Sequence, residues 1–176
     1  MRENFDYILK LLLVHEGGFS TDENDPGNRL PDGRKGSTML GITQANWEDW
    51  VGHPVTWDDM KALTPDNVGM FYHRKYWDAV HGDSLPSGVD YIAFDFAVNA
   101  GPTASIKLLQ KALSVLPDGV IGPKTISAIA TADRDTLIER FADGKEAFYR
   151  SLSNFPIYGK GWLTRAAEVK NVAETM

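Results

Sequence analysis

Glu16-Gly17-Gly18-Phe19 decides how this chain is read. Before it, Phe5, Ile8, Leu9, Leu12 and Leu13 fall at i, i+3, i+4, i+7 and i+8, one face of a 3.6-residue period. That spacing predicts a helix from Phe5 to His15. Gly17 and Gly18 end it, because glycine enters the left-handed conformation of a helix C-cap without a Cβ clash. Glu16 is thereby left on the last turn. The negative end of the helix, and any apolar ring packed nearby, both disfavour the ionised form of a carboxyl placed there. A carboxyl kept in its acid form is what a general acid needs. The plainer alternative is a solvated Glu on a frayed turn, since most Glu side chains are exposed.

The residues that follow favour the first alternative. Residues 17 to 42 carry eight glycines or prolines, few apolar residues and no helical period, so turns and one short hairpin are expected there. Within them lie Asp25-Pro-Gly27 and Thr38-x-x-Gly41-Ile-Thr-Gln44. Further on come Asp95-Phe-Ala-Val-Asn99-Ala-Gly101, Leu109-Gln110, Asp118-Gly-x-x-Gly122-Pro-x-Thr125 and Gly161-Trp-Leu-x-Arg165. Taken in order, these resemble the signature of glycoside hydrolase family 108, over nearly the whole chain. Members are small peptidoglycan muramidases, found as phage endolysins and as bacterial cell-wall enzymes, some described as secretion activators.

The resemblance implies that Glu16 is the catalytic acid, with Asp25 and Thr38 at the positions of its partners. The order also resembles the Glu, Asp, Thr series of phage-type lysozymes, with eight residues between the two acids. One departure is clear. The family usually runs almost directly from Asp-Pro-Gly to the Thr, whereas Asn28 to Ser37 intervene here. This stretch reads as a longer exposed hairpin or loop, and it leaves open where Thr38 lies relative to Glu16.

Composition sets the bounds. The 176 residues make one domain, or a catalytic lobe with a small packed subdomain, and 43 % hydrophobic content with five Trp supports a real core. The absence of cysteine removes disulfides and thiolate zinc sites. A net charge of −6 argues against a nucleic-acid partner and against bulk-charge attachment to an anionic wall, leaving a shaped cleft. His15, His53, His73 and His81 show no metal spacing, so no metal and no cofactor is expected. Asp22-x-Asn24-x-x-Gly27 starts like a calcium loop, but Pro26 occupies a ligand position and the terminal Glu is missing. Met1-Arg2-Glu3 lacks the basic start of a signal peptide, and the first apolar helix is too short to span a bilayer. The expectation is therefore cytoplasmic synthesis as a monomer without stable membrane insertion, and action on the wall after holin-type or specialised release.

Thr43, Thr56 and Thr64-Pro65 are helix-start signals. The helix from Pro65 is expected to carry Phe71, Tyr72, Tyr76 and Trp77, either as core or as a platform for sugar rings. Tyr76 or Trp77 is the expected substrate-facing ring. Asp95 and Asn99 lie one turn apart on an apolar helix ending at Ala100. Asp95 must have a partner if buried, since burying it alone costs on the order of 3 kcal/mol; Asn99 is a candidate substrate contact. Pro102 and Pro123 open further helices, and the Asp118-Gly-x-x-Gly122-Pro123 turn between them looks like that of peptidoglycan-binding helical modules. Phe155-Pro-Ile-Tyr-Gly159 is expected to turn the chain back.

The expected fold is mainly α-helical and lysozyme-like, with a small irregular β-hairpin region after the first helix. Residues 1–101 form the catalytic lobe and 102–176 a helical peptidoglycan-binding-like lobe packed on it. The resemblance implies an N-acetylmuramidase that hydrolyses β-1,4 bonds between N-acetylmuramic acid and N-acetylglucosamine. Two alternatives stand beside it: a lytic transglycosylase using Glu16 alone, and a non-catalytic wall-binding secretion accessory protein.

Overall fold

The computed structural model describes residues 4–22 and 25–176. Residues 1–3, 23 and 24 lie outside the described residues, and with them the Asn24 of the calcium-loop comparison. The protein is mainly α-helical, and the described residues include one two-stranded antiparallel sheet. They group into two compact units, one of residues 6–72 and one joining the residues up to Phe5 with 73–176.

The 6–72 unit begins within α1 (Phe5–His15), which buries Ile8, Leu9, Leu12 and Leu13. A single 3-10 turn, Pro26–Asn28, precedes a tight hairpin of β1 (Thr38–Met39) and β2 (Ile42–Thr43), with Thr38 opposite Thr43 and Met39 opposite Ile42. Leu40 and Gly41 form its turn, both with positive φ, at 49° and 74°. That is the conformation two-residue hairpins favour, and for Leu40 it is strained. Three short helices follow: α2 (Gln44–Val51), α3 (Trp57–Lys61) and α4 (Pro65–Tyr72). The start signals work as expected. Thr43 accepts the Asn46 N–H, and Thr56 and Asp59 form a reciprocal capping box. Trp47 and Trp50 pack on Phe71, with ring centroids 6.1 and 5.7 Å away.

In the other unit, a π-helical stretch, His73–Trp77, takes the place of the continuous α-helix expected to Trp77. Then come α5 (Val89–Ala100), α6 (Pro102–Ala112), α7 (Pro123–Thr131), α8 (Arg134–Arg150) and α9 (Phe155–Thr175). Helix α5 is the hub: residues 89–97 are all buried, and it packs on α6, α8 and α9. Asp90, in the first turn of α5, accepts the Gly88 and Tyr91 N–H groups at 2.7 and 2.8 Å. Asp95 is fully buried, and its carboxylate accepts from Lys145 Nζ on α8 and from Arg165 on α9.

Two further expectations fail here. Phe155–Gly159 does not turn the chain back but opens α9, which runs unbroken to Thr175. Pro156 stands in the first helical turn, where its missing N–H removes no bond. Gly159 is buried against Phe155, whose Cε2 lies 2.5 Å from where a Cβ would stand, so packing needs the glycine inside the helix. Trp77 is the second correction. It is 0 % exposed, donates from Nε1 to Asp83 and packs between Phe5 and Phe94, so it is core and offers no face to a sugar.

Candidate active site

Glu16 follows the last residue of α1 and is half-buried. The chain leaves it through Gly17, whose carbonyl accepts the Leu40 N–H at 3.1 Å. Ser20 and Thr38 exchange both backbone hydrogen bonds, at 2.9 and 2.8 Å. The hairpin is thus fastened along the segment that follows Glu16. Its turn lies against the carboxylate: a methyl group on Gly41 would stand 2.5 Å from Glu16 Oε2 and 2.9 Å from Tyr72 Oη. Tyr72, 1 % exposed at the end of α4, donates from Oη to the Leu40 carbonyl at 2.7 Å. The end of α1, the strained hairpin turn and the end of α4 meet at the Glu16 carboxylate.

Asp25 and Thr38 form a neighbouring group. Asp25 is exposed and caps the 3-10 turn, Oδ1 accepting the Gly27 N–H at 2.8 Å. Gly27 has to be small: a Cβ there would lie 2.9 Å from the Thr43 methyl and 3.1 Å from Asp25 Oδ1. Asn28, 4 % exposed, links the turn to the strand. It donates from Nδ2 to the Asp22 carbonyl at 2.9 Å and accepts from Thr38 Oγ1 at 2.8 Å. With its proton given to Asn28, the Thr38 oxygen presents lone pairs.

The ten residues between Asp25-Pro-Gly and Thr38 leave this group intact because they close on themselves. Leu30-Pro31-Asp32-Gly33 is a turn in which the Gly33 N–H reaches the Leu30 carbonyl at 3.0 Å and Gly33 takes φ 86°. The Gly36 N–H returns to the Asn28 carbonyl at 2.8 Å. Arg34 clamps the hairpin to α2, with Nη1 and Nη2 on the Glu48 carboxylate at 3.1 and 2.8 Å and Nε on Asp32 at 2.7 Å. Hydrogen bonds to the Glu48 and Asp32 carboxylates raise the Arg34 guanidinium above its ordinary range, so it is a fixed charge.

The remaining candidates are dispersed. Tyr76 is half-buried, and Asn99 is exposed with its Nδ2 turned to its own helix, on the Asp95 carbonyl at 2.6 Å. No group of three His, Asp or Glu side chains suited to a metal occurs among the described residues. No described helix is long and apolar enough to cross a membrane. Sequence reasoning missed Asn28 and undervalued Tyr72. Their partners lie 10 and 32 residues away, and neither sits in a spacing pattern that would reveal them.

Residues 9–101 match a family model described as glycosyl hydrolase 108, and residues 104–167 match one described as a predicted peptidoglycan domain. The solved structure of SagA from Brucella abortus is similar to this chain. The two share 35 % identity over 99 % of this chain and 96 % of that one, with a TM-score of 0.85. Among curated proteins none matches the chain.

Proposed function

This chain belongs to the glycosyl hydrolase 108 family, and we propose that it is an N-acetylmuramidase that uses Glu16 as its general acid. The observation that carries this reading is the convergence of Gly41, Tyr72 Oη and the strained Leu40 turn on the Glu16 carboxylate. Backbone strain of this kind persists where surrounding structure enforces it, and it concentrates at working sites.

The proposed substrate is the β-1,4 bond between N-acetylmuramic acid and N-acetylglucosamine in peptidoglycan glycan strands. Glu16 gives its proton to the glycosidic oxygen as the bond to the muramic acid anomeric carbon breaks. Positive charge then develops on that ring. Asp25, fixed by the Gly27 N–H, stabilises the charge or holds the water that ends the reaction. The Thr38 oxygen accepts one hydrogen of that water, since its own proton is engaged by Asn28. Tyr76 and Asn99 remain proposed contacts to the glycan. Residues 1–101 would supply the chemistry and residues 102–176 contacts to the wall.

Product analysis tests the reading. Wild-type protein incubated with sacculi should release fragments with reducing-end N-acetylmuramic acid. Anhydromuramic ends would instead show that the substrate's own hydroxyl replaces the water, which is the lytic transglycosylase alternative. Binding to sacculi with no fragment released would support an accessory role.

A further inference from the structure

The turn before α5 closes one side of a pocket of about 450 Å³, within the range of small-ligand sites. Leu85 lines it from that turn, and Ile121, Ile126 and Ile129 line it from α7 and the loop leading into α7. Their alkyl groups make the walls apolar. His81, Asp83 and Ser84 add a polar rim. Residues 81–86 belong to the glycosyl hydrolase 108 match and residues 121–132 to the peptidoglycan-domain match, so neither matched region holds the pocket by itself.

The rim is held rigidly. The Ser84 N–H donates to the His81 carbonyl at 2.8 Å and the Leu85 N–H to the Gly82 carbonyl at 3.1 Å, closing a single 3-10 turn, Gly82–Ser84. His81 enters it with φ 56°, a left-handed conformation uncommon for a residue with a side chain. Gly82 is buried flat against the Trp77 ring, which a Cβ there would strike. Asp83 Oδ1 accepts the Nε1–H of the buried Trp77 at 3.0 Å, and this fixes the carboxylate. Its other oxygen, Oδ2, has no hydrogen-bond or ion-pair partner among the described residues. An exposed imidazole, carboxylate and hydroxyl therefore stand within four residues, on a fixed turn beside an alkyl-lined pocket. Together they suit both charges of an amino-acid end. Asp83 accepts from an ammonium, and the Ser84 hydroxyl and a His81 ring N–H donate to a carboxylate.

We propose that this pocket binds the free amino-acid end of the diaminopimelate side chain in the peptidoglycan stem peptide, and so directs the protein to wall that is not cross-linked. The identity of the ligand rests on the muramidase reading, which makes peptidoglycan the substrate. The diaminopimelate side chain carries an ammonium and a carboxylate on one carbon, behind a short run of methylenes that suits the isoleucine walls. Cross-linking turns that ammonium into an amide and removes the positive charge that Asp83 meets.

The test is calorimetric titration of the full-length protein with N-acetylated L-Ala-γ-D-Glu-diaminopimelate-D-Ala, alongside digestion of sacculi. Wild type should bind the peptide. Asp83→Asn keeps an acceptor for Trp77 but loses the charge, and should bind about tenfold or more weakly. Acetylating the side-chain amine of the peptide should weaken binding to wild type by a similar factor. A lysine peptide, which lacks the side-chain carboxylate, should also bind more weakly. Asp143→Asn, which removes an exposed acid on α8, should bind as wild type does. Melting curves establish that the variants are folded. Equal binding by wild type and Asp83→Asn would overturn the proposal, and so would equal affinity for the acetylated or the lysine peptide. Cleavage of sacculi without peptide binding would overturn the pocket and leave the muramidase reading standing. Peptide binding without cleavage would support the pocket and count against the muramidase reading.

Discussion

Gly41 is the residue that leaves room for the candidate site. Its backbone has φ 74°, and its missing side chain is the space in which Glu16 Oε2 and Tyr72 Oη face the turn. Gly41→Ala should reduce hydrolysis by about 100-fold, because a small displacement of a catalytic group is enough for that. Its effect on stability should stay near 1–2 kcal/mol, about what one strained residue costs; activity and melting measured together check the split. Thr38→Val should lose activity through the lone pairs that Asn28 orients, and Thr38→Ser should recover much of it. The legible part of the site was the part carried by short-range pattern. Glu16 is legible as a candidate because an apolar period runs into two glycines, and Gly41 because it stands in the Thr38-x-x-Gly41-Ile-Thr-Gln44 string. Asn28 and Tyr72 act through single hydrogen bonds to residues brought close only by the fold, so nothing in their own neighbourhood marks them.

Among the elements, helix starts were well read and helix interiors were not. Thr43, Thr56, Pro65, Pro102 and Pro123 all stand at helix starts because capping and proline geometry are local. The π-helical stretch at His73–Trp77 escapes a local reading because His73 and Trp77 pack on the distant Phe5 ring, and α9 does so because Pro156 and Gly159, which look like turn residues, both fit its first turns. The turn between α6 and α7 shows a third case, a motif whose internal logic is polar. Gln110, 1 % exposed, donates to Asp118 Oδ1, the Val120 carbonyl and Thr125 Oγ1, and accepts the Gly119 N–H. Hydrogen bonds from Gln110 and the Val120 N–H hold the Asp118 carboxyl below its ordinary value. Gln110→Leu should destabilise the protein by about 2–4 kcal/mol, since it orphans several of these groups at once. Thermal unfolding checks this, and a loss under 1 kcal/mol would show that the turn holds without Gln110.

For the molecule as a whole, the informative feature is the buried cluster of Asp95, Lys145 and Arg165. Its three members come from α5, α8 and α9, separated by 50 and 70 residues from Asp95. The glycosyl hydrolase 108 match contains Asp95, and the peptidoglycan-domain match contains both cations. The two matched regions therefore share one buried charge network, and a fragment of residues 102–176 should not unfold cooperatively by itself. Burial pushes the Asp95 carboxyl upward, but Lys145 and Arg165 outweigh it and hold the group below its ordinary 3.8. Its stabilising contribution is thus complete above pH 4 and is lost as pH falls through the lower folded value. Asp95→Asn should remove about 3–5 kcal/mol at neutral pH by leaving buried Lys145 and half-buried Arg165 without their carboxylate. That corresponds to roughly 10 °C in melting temperature for a chain of this size. The difference between variant and wild type should shrink in strong acid, a trend that melting curves across pH would reveal.

The most direct measurement of Glu16's role is turbidity loss of permeabilised Gram-negative cells, with wild type and Glu16→Gln compared at equal folded concentration and the released fragments weighed. Glu16 as general acid predicts clearing with reducing muramic ends by wild type and a loss of several orders of magnitude in the variant, whose melting curve stays close to that of wild type. Comparable clearing by both proteins would contradict it and place the acid elsewhere in the chain.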